Sequence, residues 1–164
     1  ICPHWVCAHC IQRRQQRPAV VQEMSELPKE NLSGCRILLA EDNELNREIA
    51  AFLLKDEGIS VTEAEDGQQA VECFLKMPEG YYDAVLMDIM MPVMDGYQAA
   101  RAIRGSGKKD AEMIPIIAIT ANAFAEDKRK TMEAGMDAHL SKPLNVQELM
   151  DTIRKFCADK QICQ

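Results

Sequence analysis

The sequence predicts a doubly wound α/β fold, and three observations carry that prediction. Short apolar runs, too continuous for half-exposed strands, recur along the chain. Amphipathic segments with helical spacing lie between them. Five such alternations fit into about 125 residues, a pattern that implies a parallel sheet with right-handed crossovers and helices on both faces.

The first strand is predicted over Arg36–Ala40, where Ile37-Leu38-Leu39-Ala40 is apolar throughout. A helix follows, marked by the stripe Leu45, Ile49, Phe52 and Leu53. The second strand is placed over Ile59–Ala64, and a second helix on the stripe Ala70, Val71, Phe74 and Leu75. Tyr82–Met87 reads as the third strand, and Asp95-Gly96 opens a weaker helix over 95–105. The fourth strand is Ile114–Ile119, with a weak helix over 122–134 that Gly135 is placed to close. The fifth strand, Ala138–Leu140, precedes the clearest helix, with Val146, Leu149, Met150, Ile153, Phe156 and Cys157 on one face. Asn145, with Glu148 three residues later, is a helix-start signature.

Composition sets the frame. The chain has 164 residues, 47% apolar and 27% charged, which suits one soluble globular domain rather than disorder or a membrane bundle. Of the net charge of −7, residues 1–34 carry four Lys/Arg against three Asp/Glu, and residues 35–164 carry fifteen against twenty-three. An acidic body disfavours nucleic acid and favours a cation or a basic partner. Residues 1–34 read as a linker or a truncated upstream segment, with a short helix over Pro18–Leu27; residues 35–158 form the domain and 159–164 a tail. No internal repeat or low-complexity tract interrupts it. The seven cysteines read as reduced thiols, because a disulfide framework belongs to shorter chains without a core. With no signal peptide and no apolar run long enough to span a bilayer, the chain is expected to be cytoplasmic, or the cytoplasmic portion of a membrane-bound protein. Cys2, His4, Cys7, His9 and Cys10 offer zinc ligands, but a second well-spaced pair is missing and so tight a cluster leaves little room for tetrahedral closure. The linker reading is preferred.

In open α/β sheets, ligands bind beyond the carboxyl ends of the strands. The predicted strands end in Glu41-Asp42, Asp88, Thr120 and Ser141-Lys142-Pro143. Three carboxylates on one rim repel one another unless a cation neutralises them, and Mg²⁺ suits a small oxygen site that keeps waters and accepts phosphate oxygens. A lysine and a hydroxyl on that rim complete a set suited to phosphoryl transfer. Asp88 is the expected nucleophile, held by the apolar run before it, and Glu41 and Asp42 are expected to hold the metal.

Four motifs, Glu41-Asp42-Asn43, Met87 through Gly96 (MDIMMPVMDG), Ile119-Thr120-Ala121 and Ser141-Lys142-Pro143, together resemble the signature set of the receiver domain of two-component response regulators, over about residues 35–158. The variant Ala40-Glu41-Asp42-Asn43 with Asn46-Arg47 looks most like receivers of hybrid sensor histidine kinases. The resemblance implies a flavodoxin-like five-stranded parallel sheet of order 2-1-3-4-5. It implies that Asp88 takes a phosphoryl group from a phosphohistidine of a histidine kinase or histidine phosphotransfer domain, in a phosphorelay. By the same resemblance Mg²⁺ is bound by Asp42, by Asp88, by the backbone carbonyl of Met90 and, through water, by Glu41. Thr120 and Lys142 contact the phosphoryl oxygens, and the Lys142-Pro143 bond is cis. Met90 and Asn122 fall at positions that tune phosphoryl lifetime. Thr120 and the residue three before the lysine form the switch; His139 stands there in place of the commoner Tyr or Phe, which makes a pH-sensitive switch and an ordinary strand residue equal alternatives. Such a domain promotes its own phosphorylation and dephosphorylation without acting on an external substrate, makes no membrane contact, and forms a phosphorylation-dependent dimer.

Three other readings compete. A nucleotide or flavin binder needs a Gly- or Ser/Thr-rich loop after the first strand, where this chain has Glu-Asp-Asn-Glu. A dehalogenase-type phosphatase resembles an Asp-x-Asp on the first strand, and Asp88 lies on the third. A degenerate receiver acting only as a protein-interaction module is the main alternative, opposed by the presence of every chemical residue.

Overall fold

Continuous apolar sequence becomes buried strand, and the computed structural model, which describes residues 32–121 and 125–161, shows it most fully in the third and fourth strands. The elements are β1 (Arg36–Ala40), α1 (Glu44–Asp56), β2 (Ser60–Ala64), α2 (Gly67–Lys76), β3 (Ala84–Asp88), α3 (Gly96–Arg104), β4 (Ile116–Thr120), α4 (Ala125–Glu133), β5 (Ala138–Ser141) and α5 (Val146–Gln161). A 3-10 turn at Lys109–Glu112 precedes β4. Every residue of β3 and β4 is buried. All pairings are parallel and the order is β2-β1-β3-β4-β5, as the resemblance implied. The predicted helix over Pro18–Leu27, the amino-terminal Cys/His cluster and Asn122 lie outside the described residues.

Strand alternation divides the core into two layers. Ile37 and Leu39 of β1 face one layer with Ala50, Ala51 and Leu54 of α1 and Leu149 and Ile153 of α5. Leu38 and Ala40 face the other, with Ala70 and Phe74 of α2 and Ala99 and Ile103 of α3. Helix starts are capped as the sequence indicates: Asp95 Oδ1 accepts from Gln98 N at 2.8 Å, and Asn145 Oδ1 from Gln147 N and Glu148 N at 2.9 and 3.2 Å. Each such cap contributes about 1 kcal/mol. Gly135 closes α4 with φ +83°, which a side chain resists.

Three details differ from expectation. The third and fourth strands begin at Ala84 and Ile116, each two residues later than predicted. Tyr82 packs on Phe74 instead, ring centroids 6.3 Å apart, and Pro115 lacks the N–H that a central strand requires. In α1, Leu45, Ile49 and Phe52 are exposed, and the sheet receives Ala50, Ala51 and Leu54. Small alanines let the helix approach the sheet closely. In the segment preceding β1, Leu32 is buried in the α1/α5 layer and Gly34 N donates to Gly58 O at 3.2 Å.

On the side away from α1, Arg104 acts as a staple. Its guanidinium donates to the carbonyls of Ala111, Ile114 and Gly135 and to Asp137 Oδ2, at 2.6 to 2.8 Å. This ties α3 to the turns on both sides of β4. Among the described residues no helix is long and apolar enough to cross a membrane.

Candidate functional site

The register of the sheet brings the predicted rim together. Ala40 lies opposite Met87, so Glu41 and Asp42, which leave β1, stand beside Asp88 at the end of β3. Asp88 lies opposite Ile119, and Thr120 opposite Ser141, which places Thr120 and Lys142 along the same carboxyl edge. One oxygen from each of Glu41, Asp42 and Asp88 fits within a mutual span of 4.8 Å. Asp42 is exposed, while the side chains of Glu41 and Asp88 are each only 3% exposed.

Lys142 is the cation of the pocket. Its Nζ lies 2.8 Å from Glu41 Oε2 and 2.8 Å from Asp88 Oδ2. Three ionised carboxylates and one ammonium leave two negative charges, which a divalent cation balances. Burial raises the Asp88 carboxyl above the usual range; the Lys142 hydrogen bond opposes this, and the Glu41 charge adds to it. Burial pulls the Lys142 ammonium down, and the hydrogen bonds and charges of Asp88 and Glu41 outweigh it, so it titrates above its ordinary value. The donor set of hard oxygens fits Mg²⁺.

The loop after β3 holds Asp88 from the other side. Met90 N donates to Asp88 Oδ1 at 3.1 Å, and Gly96 N donates to Ile89 O at 3.0 Å. A Cβ at Gly96 would overlap the Asp88 carbonyl oxygen and lie 2.9 Å from Ile89 Cα, so this close approach requires glycine. Between them, Met94 N donates to Pro92 O at 2.7 Å around Val93, whose φ is +68°. That is a γ-turn in the left-handed region, strained for a β-branched residue. Of the loop methionines, Met90 is exposed, Met91 is buried in the core and Met94 packs against it.

His139 is half-buried on β5 opposite Ala118, and Thr120 is buried at the end of β4. The Lys142-Pro143 bond is cis, as the resemblance implied. Two contacts of the site carry residues to which the sequence reading gave no role. Asn46 Nδ2 donates to Glu41 Oε1 at 3.2 Å, and Arg47 Nη1 to the Glu41 carbonyl at 2.9 Å. The signal was present in the Asn46-Arg47 pair one helical turn beyond the acidic motif. No disulfide joins the described cysteines, Cys35, Cys73 and Cys157.

A parallel α/β domain with a carboxylate-lined, lysine-bridged pocket at its carboxyl edge is thereby defined as a class. The chain belongs to the response regulator receiver domain family, whose model matches residues 37–154. It is 39% identical over 131 residues to hybrid signal transduction histidine kinase I of Dictyostelium discoideum, covering 79% of this chain and 7% of that protein. It is 38% identical over 122 residues to the sensor protein GacS of Pseudomonas syringae pv. syringae, covering 74% of this chain and 13% of that one. The chain thus spans only a small part of the curated relatives it matches. Among solved structures it is similar to the receiver domain of sensor histidine kinase PA1611 from Pseudomonas aeruginosa PAO1, which has a magnesium ion coordinated in its active site cleft. The TM-score is 0.69 at 39% identity, over 77% of this chain and 99% of that one. A second is the Saccharomyces cerevisiae receiver domain of Ssk1 in complex with the histidine phosphotransfer protein Ypd1, with a TM-score of 0.69 at 30% identity over 77% and 90% of the two chains.

Proposed function

We propose that this receiver domain, within residues 35–158, accepts a phosphoryl group on Asp88 from a phosphohistidine, in a Mg²⁺-dependent step of a phosphorelay, and that the parent protein is a hybrid histidine kinase. The observation that carries the reading is the shared Lys142 bridge, which aligns the Asp88 carboxylate beside two further acids at one rim. An oxygen of Asp88 attacks phosphorus; the O–P bond forms as the P–N bond of the phosphoimidazole breaks, and the imidazole leaves with that electron pair and regains a proton from solvent. Lys142 neutralises charge on the transferred oxygens, and Thr120 donates its hydroxyl to them. Glu41, Asp42, Asp88 and the Met90 carbonyl would hold Mg²⁺, which when bound neutralises the developing phosphoryl charge. His139 and Thr120 would carry the switch to the surface formed by α4, β5 and α5.

For the partner, the exposed stripe Leu45, Ile49 and Phe52 on α1 adjoins the pocket, with Ile49 and Leu144 lining the groove beside Lys142. An apolar stripe next to an acidic site fits the helical surface of a histidine phosphotransfer or kinase domain that presents its histidine to Asp88. The test is intact mass after incubation with acetyl phosphate and Mg²⁺. Gain of one phosphate by the wild type, lost in EDTA and in Asp88→Asn, is expected. Absence of the adduct in folded wild type would overturn the reading in favour of a degenerate interaction module.

A further inference from the structure

The first turn of α1 reaches the acidic pocket through two neighbouring side chains, Asn46 and Arg47, and their contacts converge on one short stretch of backbone. Arg47 Nη1 lies 2.9 Å from the Glu41 carbonyl oxygen and 3.5 Å from that of Asp42. Its Nε and Nη2 face Glu63 Oε2 at 3.7 Å and Glu65 Oε1 at 3.6 Å, at the exit of β2. The Arg47 side chain is 11% exposed, a depth at which a guanidinium is retained when its whole fork is used. From the other side, Glu41 N donates to Ala64 O at 3.1 Å. The Glu41 peptide is therefore held at both its N–H and its C=O, between the exits of β1 and β2.

Asn46 completes the arrangement at the side chain. Its Nδ2 shares Glu41 Oε1 with Lys142, at 3.2 and 3.1 Å respectively. Glu41 is thus oriented by an amide that carries no charge as well as by the ammonium. Asp42, the next residue, projects from a backbone that Arg47 holds in place, and its own carboxylate is exposed.

We propose that Asn46 and Arg47 are positioning residues for the divalent cation: Arg47 presets the Glu41-Asp42 backbone and Asn46 presets the Glu41 carboxylate. This rests on the reading that the pocket binds Mg²⁺. Ordering the loop before the ion arrives removes that cost from binding. The two residues touch neither the ion nor the phosphoryl group, and act through Glu41 and Asp42. Arginine is needed for its geometry, because a single ammonium on a lysine stem cannot reach the Glu41 carbonyl and both glutamates at once.

The experiment is isothermal titration of Mg²⁺ into the full chain, paired with thermal midpoints in EDTA and in saturating Mg²⁺. Arg47→Lys retains the charge, so a change in affinity reports geometry; the Mg²⁺ Kd is expected to rise about ten-fold, the scale on which removed outer partners of metal ligands act. Asn46→Ala leaves the guanidinium in place and is expected to move the Kd in the same direction, and it decides the matter if Arg47→Lys fails to fold. Lys55→Arg is the control: Lys55 pairs with Glu63 at 3.0 Å without touching the loop, and its variant should bind Mg²⁺ as the wild type does. Wild-type affinity in both Arg47→Lys and Asn46→Ala would overturn the proposal. Absence of Mg²⁺ binding by the wild type would instead overturn the reading on which it rests.

Discussion

The ammonium of Lys142 sits 2.8 Å from Oδ2 of Asp88, joining two residues from strands that are not neighbours in the sheet. It is equally close to Glu41, so one side chain, 25% exposed, compensates two carboxylates that are nearly sequestered from water. Removing one member of such a group leaves the others buried and unpaired. Lys142→Met is expected to cost about 2 kcal/mol in EDTA, less than the loss for a fully buried pair because the lysine is partly solvated. Mg²⁺ should restore much of it. Urea unfolding with and without Mg²⁺ checks both halves, and an unchanged midpoint in EDTA would refute the first.

The pH dependence follows from the raised carboxyl of Asp88. A folded-state value above the unfolded one means that folding takes up a proton. Its stabilising contribution is complete below the unfolded carboxylate value and fades as pH rises through the higher folded value. In EDTA, wild type should therefore gain stability relative to Asp88→Asn as the buffer is lowered from neutral toward the ordinary carboxylate range. A difference that stays flat across this interval would contradict the assignment. Mg²⁺ affinity should fall across the same interval, because the proton and the metal compete for Asp88.

Gly96→Ala tests how closely α3 is set against Asp88, the proposed phosphoacceptor. The added methyl has to displace the Asp88–Ile89 backbone, an overpacking that costs about 2 kcal/mol. A misplaced Asp88 should also slow phosphorylation by acetyl phosphate about 100-fold. Wild-type mass gain at the wild-type rate would show that the backbone tolerates the methyl.

Val93→Gly has the opposite sign. Val93 is 77% exposed at φ +68°, so glycine relieves strain and gives up little packing. The larger freedom of glycine in the unfolded chain offsets part of the gain, and a net stabilisation of about 1 kcal/mol is expected. A thermal midpoint that drops would mean that the valine side chain is held by contacts that matter.

The parallel sheet was legible because β1, β3 and β4 are apolar on both faces, which only a doubly covered strand requires, and because Asp95 and Asn145 announce their helices. The pocket was legible because strand ends are fixed by the runs before them. The face that α1 turns inward was not. Leu45, Ile49 and Phe52 form a better apolar stripe than Ala50, Ala51 and Leu54, yet close packing on a sheet selects the smaller residues. Neither was the Arg104 staple, whose acceptors are backbone carbonyls and leave no mark in the side-chain pattern. Leu32 stands alone in polar sequence, with no periodicity to suggest that it is buried.

Leu32 and Gly34 fasten the start of the domain at the amino ends of the strands, whereas the carboxylates lie at the carboxyl ends. The first described segment therefore enters the domain at the pole opposite the carboxylate pocket, so its anchoring contacts and the pocket do not compete for the same surface.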